Sequence, residues 1–459
     1  MNDTMFVIPT YRLQYVNTTV RAYSGNFKTY RHVLPIVIFD DSDISTSRQY
    51  AGLLEKAKNT GGIFYVGPQE KAQFLSDLET KTNIDRYLLQ AIFQPSYGGN
   101  RNFIVIYTLG NMYISSDDDM APYGIFEKES NGLGKGEVCK GRYIDRRFSN
   151  YYTESQDIVT AYLSVLGKRV SEIKVHVGLG KVVEDSAAEL LTNTTNGELG
   201  QSTLTVHPGS LDANATVKVA QTYRTGSPDI NASDYAREFL RNPVLFSSNG
   251  MTRVFAISRF IPCITDSNWR IDCGVSAYDN TEGLPPFIPT KLRFEDYIYR
   301  IWVAKNSRVA AAHVAAVQTH DRDPYNRSSI AQEFHNEELA NYLKLELLRG
   351  ISEVGNITLT FEGNVHFNGV IAREIIKRAK RLHQEAMSTA VKSAYKKGCL
   401  LSFARDILNT FCGFNQREFL RDTKIRLNLE YDLLKKTTEA WPIILEASLD
   451  MNKPMRRMG

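Results

Sequence analysis

A chain of 459 residues has room for two or three domains and at least one large core. With 42% hydrophobic and 23% charged residues, its composition is that of a globular protein and excludes extensive disorder. The net charge of +4 singles out no partner, although from Phe367 onward 18 Lys and Arg face 10 Asp and Glu, a local balance of +8 that leaves about −4 elsewhere.

Five cysteines (Cys139, Cys263, Cys273, Cys399 and Cys412) show no CxxC spacing and make an odd total, the pattern of reduced thiols in a cytosolic protein. The first residues reach the apolar Met5-Phe6-Val7-Ile8 with no preceding basic segment, so no signal peptide is expected. No apolar run of roughly 18 residues predicts a transmembrane helix. A cytoplasmic location follows, with any membrane contact peripheral, at the inner face.

Phe6 to Pro9 and Pro35 to Phe39 are short apolar, β-branched runs that suit buried strands of a parallel sheet. Apolar positions recur at helical spacing between Ser47 and Lys58, and Ile63 to Val66 is predicted as a third strand. Helical patterns return at Glu70 to Leu78 and around Ile84 to Phe93. Arg101 to Leu109 reads as helix because it leads into a strand over Met112 to Ser115. Strands alternating with helices predict a doubly wound α/β domain whose ligands sit at the carboxyl ends of strands. Asp40-Asp41-Ser42 and Asp117-Asp118-Asp119 lie at such ends.

From about Asn150 the pattern changes. Ser155 to Leu166 reads as helix, and Ser171 to Val219, rich in Thr, Gly and Asn among alternating β-formers, predicts a β-rich insertion that extends to about Asn242. Val254 to Ile261 is a further strand. Pro285-Pro286-Phe287-Ile288-Pro289 makes a rigid loop leading to Arg293-Phe294-Glu295-Asp296. Beyond Ser328 helices dominate, with Glu337 to Leu348, Ala372 to Lys396 and Thr423 to Glu439 the better cases. The expected division is 1–150, 151–335 with the insertion at about 171–242, and a helical region 336–459.

Adjacent carboxylates repel and are expensive to desolvate, so Asp117-Asp118-Asp119 either stays in water or holds a hard cation. Alone, each acidic segment has an ordinary reading: a solvated turn for the triplet, a turn or cap for Asp40-Asp41-Ser42, a helix first turn for Glu295-Asp296. In order, and at strand ends, they resemble the nucleotide-sugar half of GT-A glycosyltransferases, especially the large inverting family 2. Val7-Ile8-Pro9-Thr10-Tyr11-Arg12 matches the opening strand and turn, and Val37-Ile38-Phe39-Asp40-Asp41-Ser42 the second strand with its acidic base-binding end. Arg101-Asn102, after Gly98-Gly99-Asn100, looks like the Arg-Asn before the metal strand. Asp117-Asp118-Asp119 looks like the DxD motif, and Glu295-Asp296 is similar to the Glu-Asp motif of the acceptor side. The match covers about residues 1–125 and implies a GT-A, Rossmann-like mixed sheet flanked by helices.

The resemblance implies a nucleotide-sugar donor, UDP favoured, and a carbohydrate, lipid-linked or other hydroxyl acceptor, with Mn2+ or Mg2+ neutralising the departing diphosphate. Asp119 would ligate the metal, with Asp117 nearer the donor ribose or a metal-bound water and His320, which follows a strand after the Glu-Asp motif, as a further ligand; His313 is second to it. Pro9, Thr10, Tyr11 and Asp118 would line the donor site, and Arg101 would offer its planar fork to phosphate or the uracil edge. Asp40 or Asp41 would accept from the base or ribose. For inverting transfer Asp296 is the expected proton acceptor and Glu295 the reserve.

Trp269, Tyr278, Trp302 and Tyr325 are candidates for stacking on an acceptor sugar, or else packing residues. The basic C-terminal region, ending Lys453-Pro454-Met455-Arg456-Arg457-Met458, fits an anionic membrane surface, a solvated helical face or an oligomer contact. No nucleic-acid partner is expected, and no P-loop, kinase or dinucleotide fingerprint is present. A sugar nucleotidyltransferase is the first alternative, disfavoured because Thr10-Tyr11-Arg12-Leu13-Gln14 stands where its Gly-rich basic loop would be. A non-catalytic scaffold of the same fold is the second.

Overall fold

The computed structural model describes residues 4–54, 58–128, 137–145, 150–173, 201–205, 212–227, 253–265, 271–292, 295–321, 330–354, 358–361 and 416–458, with isolated positions 377, 380, 381 and 384. In chain order the first part runs β1 (Thr4–Thr10), α1 (Leu13–Tyr30), β2 (Ile36–Asp40), α2 (Ile44–Leu54), β3 (Ile63–Val66), α3 (Pro68–Thr82), α4 (Arg86–Ile92), α5 (Tyr97–Tyr107) and β4 (Met112–Ser116). Then come β5 (Met120–Ala121), β6 (Tyr123–Glu127), β7 (Glu137–Asp145), β8 (Tyr151–Ser155), α6 (Ile158–Leu163), β9 (Gln201–Thr205), β10 (Thr216–Gly226), β11 (Arg253–Phe260), β12 (Cys263–Thr265) and β13 (Val275–Asp279). The rest comprises α7 (Tyr297–Lys305), β14 (Val309–His320), α8 (Ile330–Gly350), β15 (Ile351–Val354), β16 (Leu359–Phe361), α9 (Gln416–Ser448) and β17 (Arg456–Met458).

The architecture is mixed α/β: one large mixed sheet flanked by helices. Its spine runs β17-β3-β2-β1-β4-β13-β10-β11-β6-β8. β3, β2, β1 and β4 are mutually parallel, with Val7 opposite Val37 on one side and Ser115 on the other. β13 runs antiparallel to β4, β10 antiparallel to β13, and β14 parallel to β10. β17 pairs antiparallel with β3 and covers that edge.

The parallel strands are apolar along their length because both faces are buried. Successive residues point to opposite sides. Thus Phe6, Ile8, Ile36 and Ile38 meet Val16, Val20, Tyr23 and Phe27 of α1, whereas Val7, Val37 and Phe39 meet α3, α4, α5 and Trp441 of α9. Each such side chain contributes roughly 1.5–3 kcal/mol through burial. α1 ends where Arg31 turns left-handed (φ 61°). The Trp441 indole N–H donates to Leu284 O at 2.7 Å, tying α9 to the loop before α7.

Two features depart from the expected pattern. The strands β5 to β8 carry enough Glu, Lys, Arg and Tyr to mask their alternation. β10, in the stretch expected as an insertion, is an interior strand of the main sheet. Its polar residues have partners there: Lys218 pairs with Asp279 and Glu282, Gln221 accepts from Asp272 N, and Thr222 donates to Gln318. The helix expected over Ala372 to Lys396 lies outside the described residues apart from its isolated positions, as do Trp269, Arg293, Phe294 and Tyr325. Cys139, Cys263 and Cys273 are buried free thiols. Among the described residues, no helix is long and apolar enough to cross a membrane.

Candidate functional site

Because β1 and β4 are parallel neighbours, their carboxyl ends open at the same edge, and Pro9-Thr10 lies beside the Asp117 to Asp119 turn. Thr10 Oγ1 donates to Asp118 Oδ2 at 2.5 Å and accepts Arg12 N at 3.0 Å. The Arg12 guanidinium then reaches both following acids: Nε is 3.2 Å from Asp118 Oδ2, and Nη2 contacts Asp118 Oδ1 and lies 2.9 Å from Asp119 Oδ2. Burial works against these charges and pushes Asp118 up to about 6, opposed by Arg12. Since Thr10 and Arg12 both donate to it, the carboxylate is the form these contacts stabilise.

β14 delivers His320 to the same turn. Its register places His320 opposite Met120, and Asp321 N donates to Asp119 O at 2.9 Å. The imidazole Nδ1 is 3.3 Å from the Ser227 carbonyl, which can only accept, so Nδ1 carries the hydrogen and Nε2 faces Asp119 Oδ2 at 3.5 Å. A proton on Nε2, or a cation shared with it, satisfies this contact, and Arg12 Nη2 already reaches the same Asp119 oxygen. Asp119 and His320 could supply two ligands to a hard divalent ion, which would need oxygen ligands of a substrate or water to complete it. Among the described residues, no group of three or more His, Cys, Asp or Glu is placed to hold a metal by itself.

Asp117 points the other way. Arg101, buried within α5, donates from Nη2 to Asp117 Oδ1 at 2.7 Å and from Nη1 to Ser115 Oγ and Cys273 O, both at 3.1 Å. Its Nε lies 3.8 Å from Glu295 Oε1. The fork expected to meet phosphate or uracil is thus placed on protein acceptors. Gly274 makes room, since a Cβ there would come within 2.5 Å of Asp117 Oδ2. Asp117 remains the open member of the triplet, its side chain 40% exposed.

The neighbouring residues of the Gly98 to Asn102 run explain how Glu295 arrives. Asn102 donates to Ile92 O and Phe287 O and accepts Phe287 N at 2.7 Å, clamping the proline-rich loop. A Cβ on Gly98 would fall 1.7 Å from Ile288 O, so only glycine permits that approach. The loop then feeds Glu295 and Asp296, the latter at the N-cap of α7. Burial, reinforced by the Asp296 charge and opposed by Arg101, raises Glu295 to about 7.

The second acidic segment is internal. Asp40 is fully buried and accepts from Ser42 N, Ser42 Oγ and the Tyr65 hydroxyl. Asp41 accepts from Lys71 Nζ and Ser96 N; burial raises its pKa while Lys71 opposes the rise. Lys71 also reaches Asn100 Oδ1, so these acids join β2, α3 and α5. Of the two alternatives for the aromatic candidates, Tyr278 and Trp302 take packing: they are core residues, 0% and 3% exposed, beside Phe287 and Tyr299. His313 stacks on Tyr223 in a buried layer, and burial lowers its pKa. Tyr11 is the exposed aromatic of the first turn, 57% accessible.

Sequence reading missed a role for Arg12 and for the Ser227 carbonyl. An Arg directly after the Pro-Thr-Tyr turn was the available signal for the first, and the second had none. No protein-family model matches the chain, and no curated protein matches it.

Proposed function

We propose that the chain is a metal-dependent glycosyltransferase of the GT-A type, similar to inverting family 2, that moves a sugar from a nucleoside diphosphate sugar, UDP favoured, to an acceptor hydroxyl. The observation that carries this reading is the Arg101 bridge. Acids at the end of β4 and acids before α7, far apart in sequence, meet across one guanidinium, 2.7 Å from Asp117 and 3.8 Å from Glu295. Glycosyl transfer needs two such stations, one serving the departing diphosphate and one receiving the proton of the attacking hydroxyl.

In this reading the donor lies along the Pro9 to Arg12 turn, with the Tyr11 ring beside the base and the exposed Asp117 reaching the ribose. Of the two acids at the end of β2, Asp41 lies nearer the surface than Asp40, and its oxygens are held by Lys71 and Ser96. Asp119 and His320 would hold Mn2+ or Mg2+, which when bound supplies positive charge to the leaving diphosphate. Asp296 takes the hydroxyl proton as its oxygen attacks the anomeric carbon. It stands at the N-cap of α7, beside Glu295. Glu295, which burial and the Asp296 charge make reluctant to ionise, limits the charge collected beside it. Arg101 keeps the two stations at a fixed separation.

Turnover of UDP-sugars with Mn2+, followed as UDP release, tests this. Asp296→Asn is expected to lower kcat by about 10²- to 10⁴-fold while UDP affinity stays within about twofold. Unchanged turnover in that variant removes the assignment of the base.

A further inference from the structure

Arg12 sits where the site wants a cation. Its Nη2 is 2.9 Å from Asp119 Oδ2, the same oxygen that faces His320 Nε2 at 3.5 Å. Its Nε is 3.2 Å from Asp118 Oδ2. Two rings flank the guanidinium, whose Cζ is 5.5 Å from the Tyr11 centroid and 5.0 Å from that of Tyr15. The side chain nevertheless keeps 16% of its surface in solvent, so it has a way out.

We infer that Arg12 is a built-in competitor of the divalent cation: without donor it neutralises Asp119 itself, and it gives up that place when a diphosphate draws its fork away. This rests on the reading of Asp119 and His320 as the cation's ligands. A divalent ion on Asp119 Oδ2 would stand within a few ångströms of a guanidinium nitrogen on the same oxygen, and like charges that close in a half-buried site repel strongly. The guanidinium matches two phosphate oxygens as well as it matches two carboxylates, so exchanging Asp119 for a diphosphate keeps its charge-assisted hydrogen bonds. Asp118 stays held by Thr10. Cation and diphosphate would therefore bind cooperatively, each strengthening the other by the same factor. Arg12 thereby acts as a positioning residue that orders loading of the site.

The test is Mn2+ binding to the intact chain, read from the free Mn2+ electron-spin-resonance signal without any nucleotide, for wild type, Arg12→Gln and Arg12→Lys. Arg12→Gln is expected to bind Mn2+ at least about tenfold more tightly than wild type, an effect of about 1.4 kcal/mol. Adding Asp119→Asn to it should abolish the gain, which places the ion. Arg12→Lys, which keeps a positive charge near Asp118 and serves if the glutamine variant fails to fold, should fall between the two. If wild type binds Mn2+ with UDP present but the folded Arg12 variants bind Mn2+ alone no better than wild type, the competitor role is wrong and the glycosyltransferase reading stands. If neither wild type with UDP nor any Arg12 variant binds Mn2+, the metal site itself is wrong and the competitor role falls with it.

Discussion

Glu295 offers the most quantitative check on the acceptor side of the site. Its ordinary value of 4.5 is raised to about 7, first by burial and then by the charge of Asp296, with Arg101 pulling the other way. The folded chain therefore keeps a proton that the unfolded chain releases above 4.5, so stability falls as pH rises from about 4.5 to about 7 and stays at the lower level beyond. The displacement corresponds to about 3 kcal/mol. Glutamine has nearly the same shape and no charge to desolvate. Glu295→Gln should then match wild type at about pH 4.5 and exceed it by up to about 3 kcal/mol at about pH 8. Urea unfolding followed by tryptophan fluorescence at steps across that range reads the difference directly. Parallel stability profiles for the two proteins would show that Glu295 is not held out of water between Arg101 and Asp296, and the geometry drawn for the acceptor station would be wrong.

Gly98→Ala places a Cβ 1.7 Å from the backbone oxygen of Ile288, a clash that no rotamer relieves. It should destabilise the chain by about 1–3 kcal/mol or more in urea unfolding, and neutrality would mean that α5 does not press on this loop. Arg101→Met strips Glu295 and Asp117 of their shared counter-ion and should lower stability by about 3 kcal/mol, the low end for a buried pair because Asp117 reaches solvent. The same variant should raise the pH at which Glu295 titrates, which carboxylate-selective NMR or the stability profile would detect. An unmoved midpoint would separate Arg101 from Glu295.

The parallel half of the sheet was legible because its strands are buried on both faces and so read as unbroken apolar runs, as in Ile36-Val37-Ile38-Phe39. β10 was not. Its Lys218, Gln221 and Thr222 look like surface residues until their partners Asp279, Asp272 and Gln318 are brought beside them by other strands. The same limit shaped the site. The sequence marks Asp117 to Asp119 as acids at a strand end, and the family resemblance alone points to Glu295-Asp296 and His320. Arg12 meeting Asp118 and Asp119, like Arg101 meeting Asp117 rather than solvent, is a property of the folded edge. Gly98 and Gly99, which precede Arg101-Asn102, serve close packing, on Ile288 O and Gln94 O respectively. Asp40 and Asp41 could not be told apart by sequence. Burial separates them, since Asp40 is sealed behind Tyr65 and Ser42.

Calorimetric titration of the intact chain with UDP and with GDP, each with and without Mn2+, tests the central claim most directly when repeated on Asp119→Ala. One of the two nucleotides is expected to bind in the presence of Mn2+, and to bind at least about a hundredfold more weakly, a loss of roughly 2.7 kcal/mol, when either the ion or the Asp119 carboxylate is removed. Binding of neither nucleotide, or binding indifferent to both the ion and Asp119, would contradict the account.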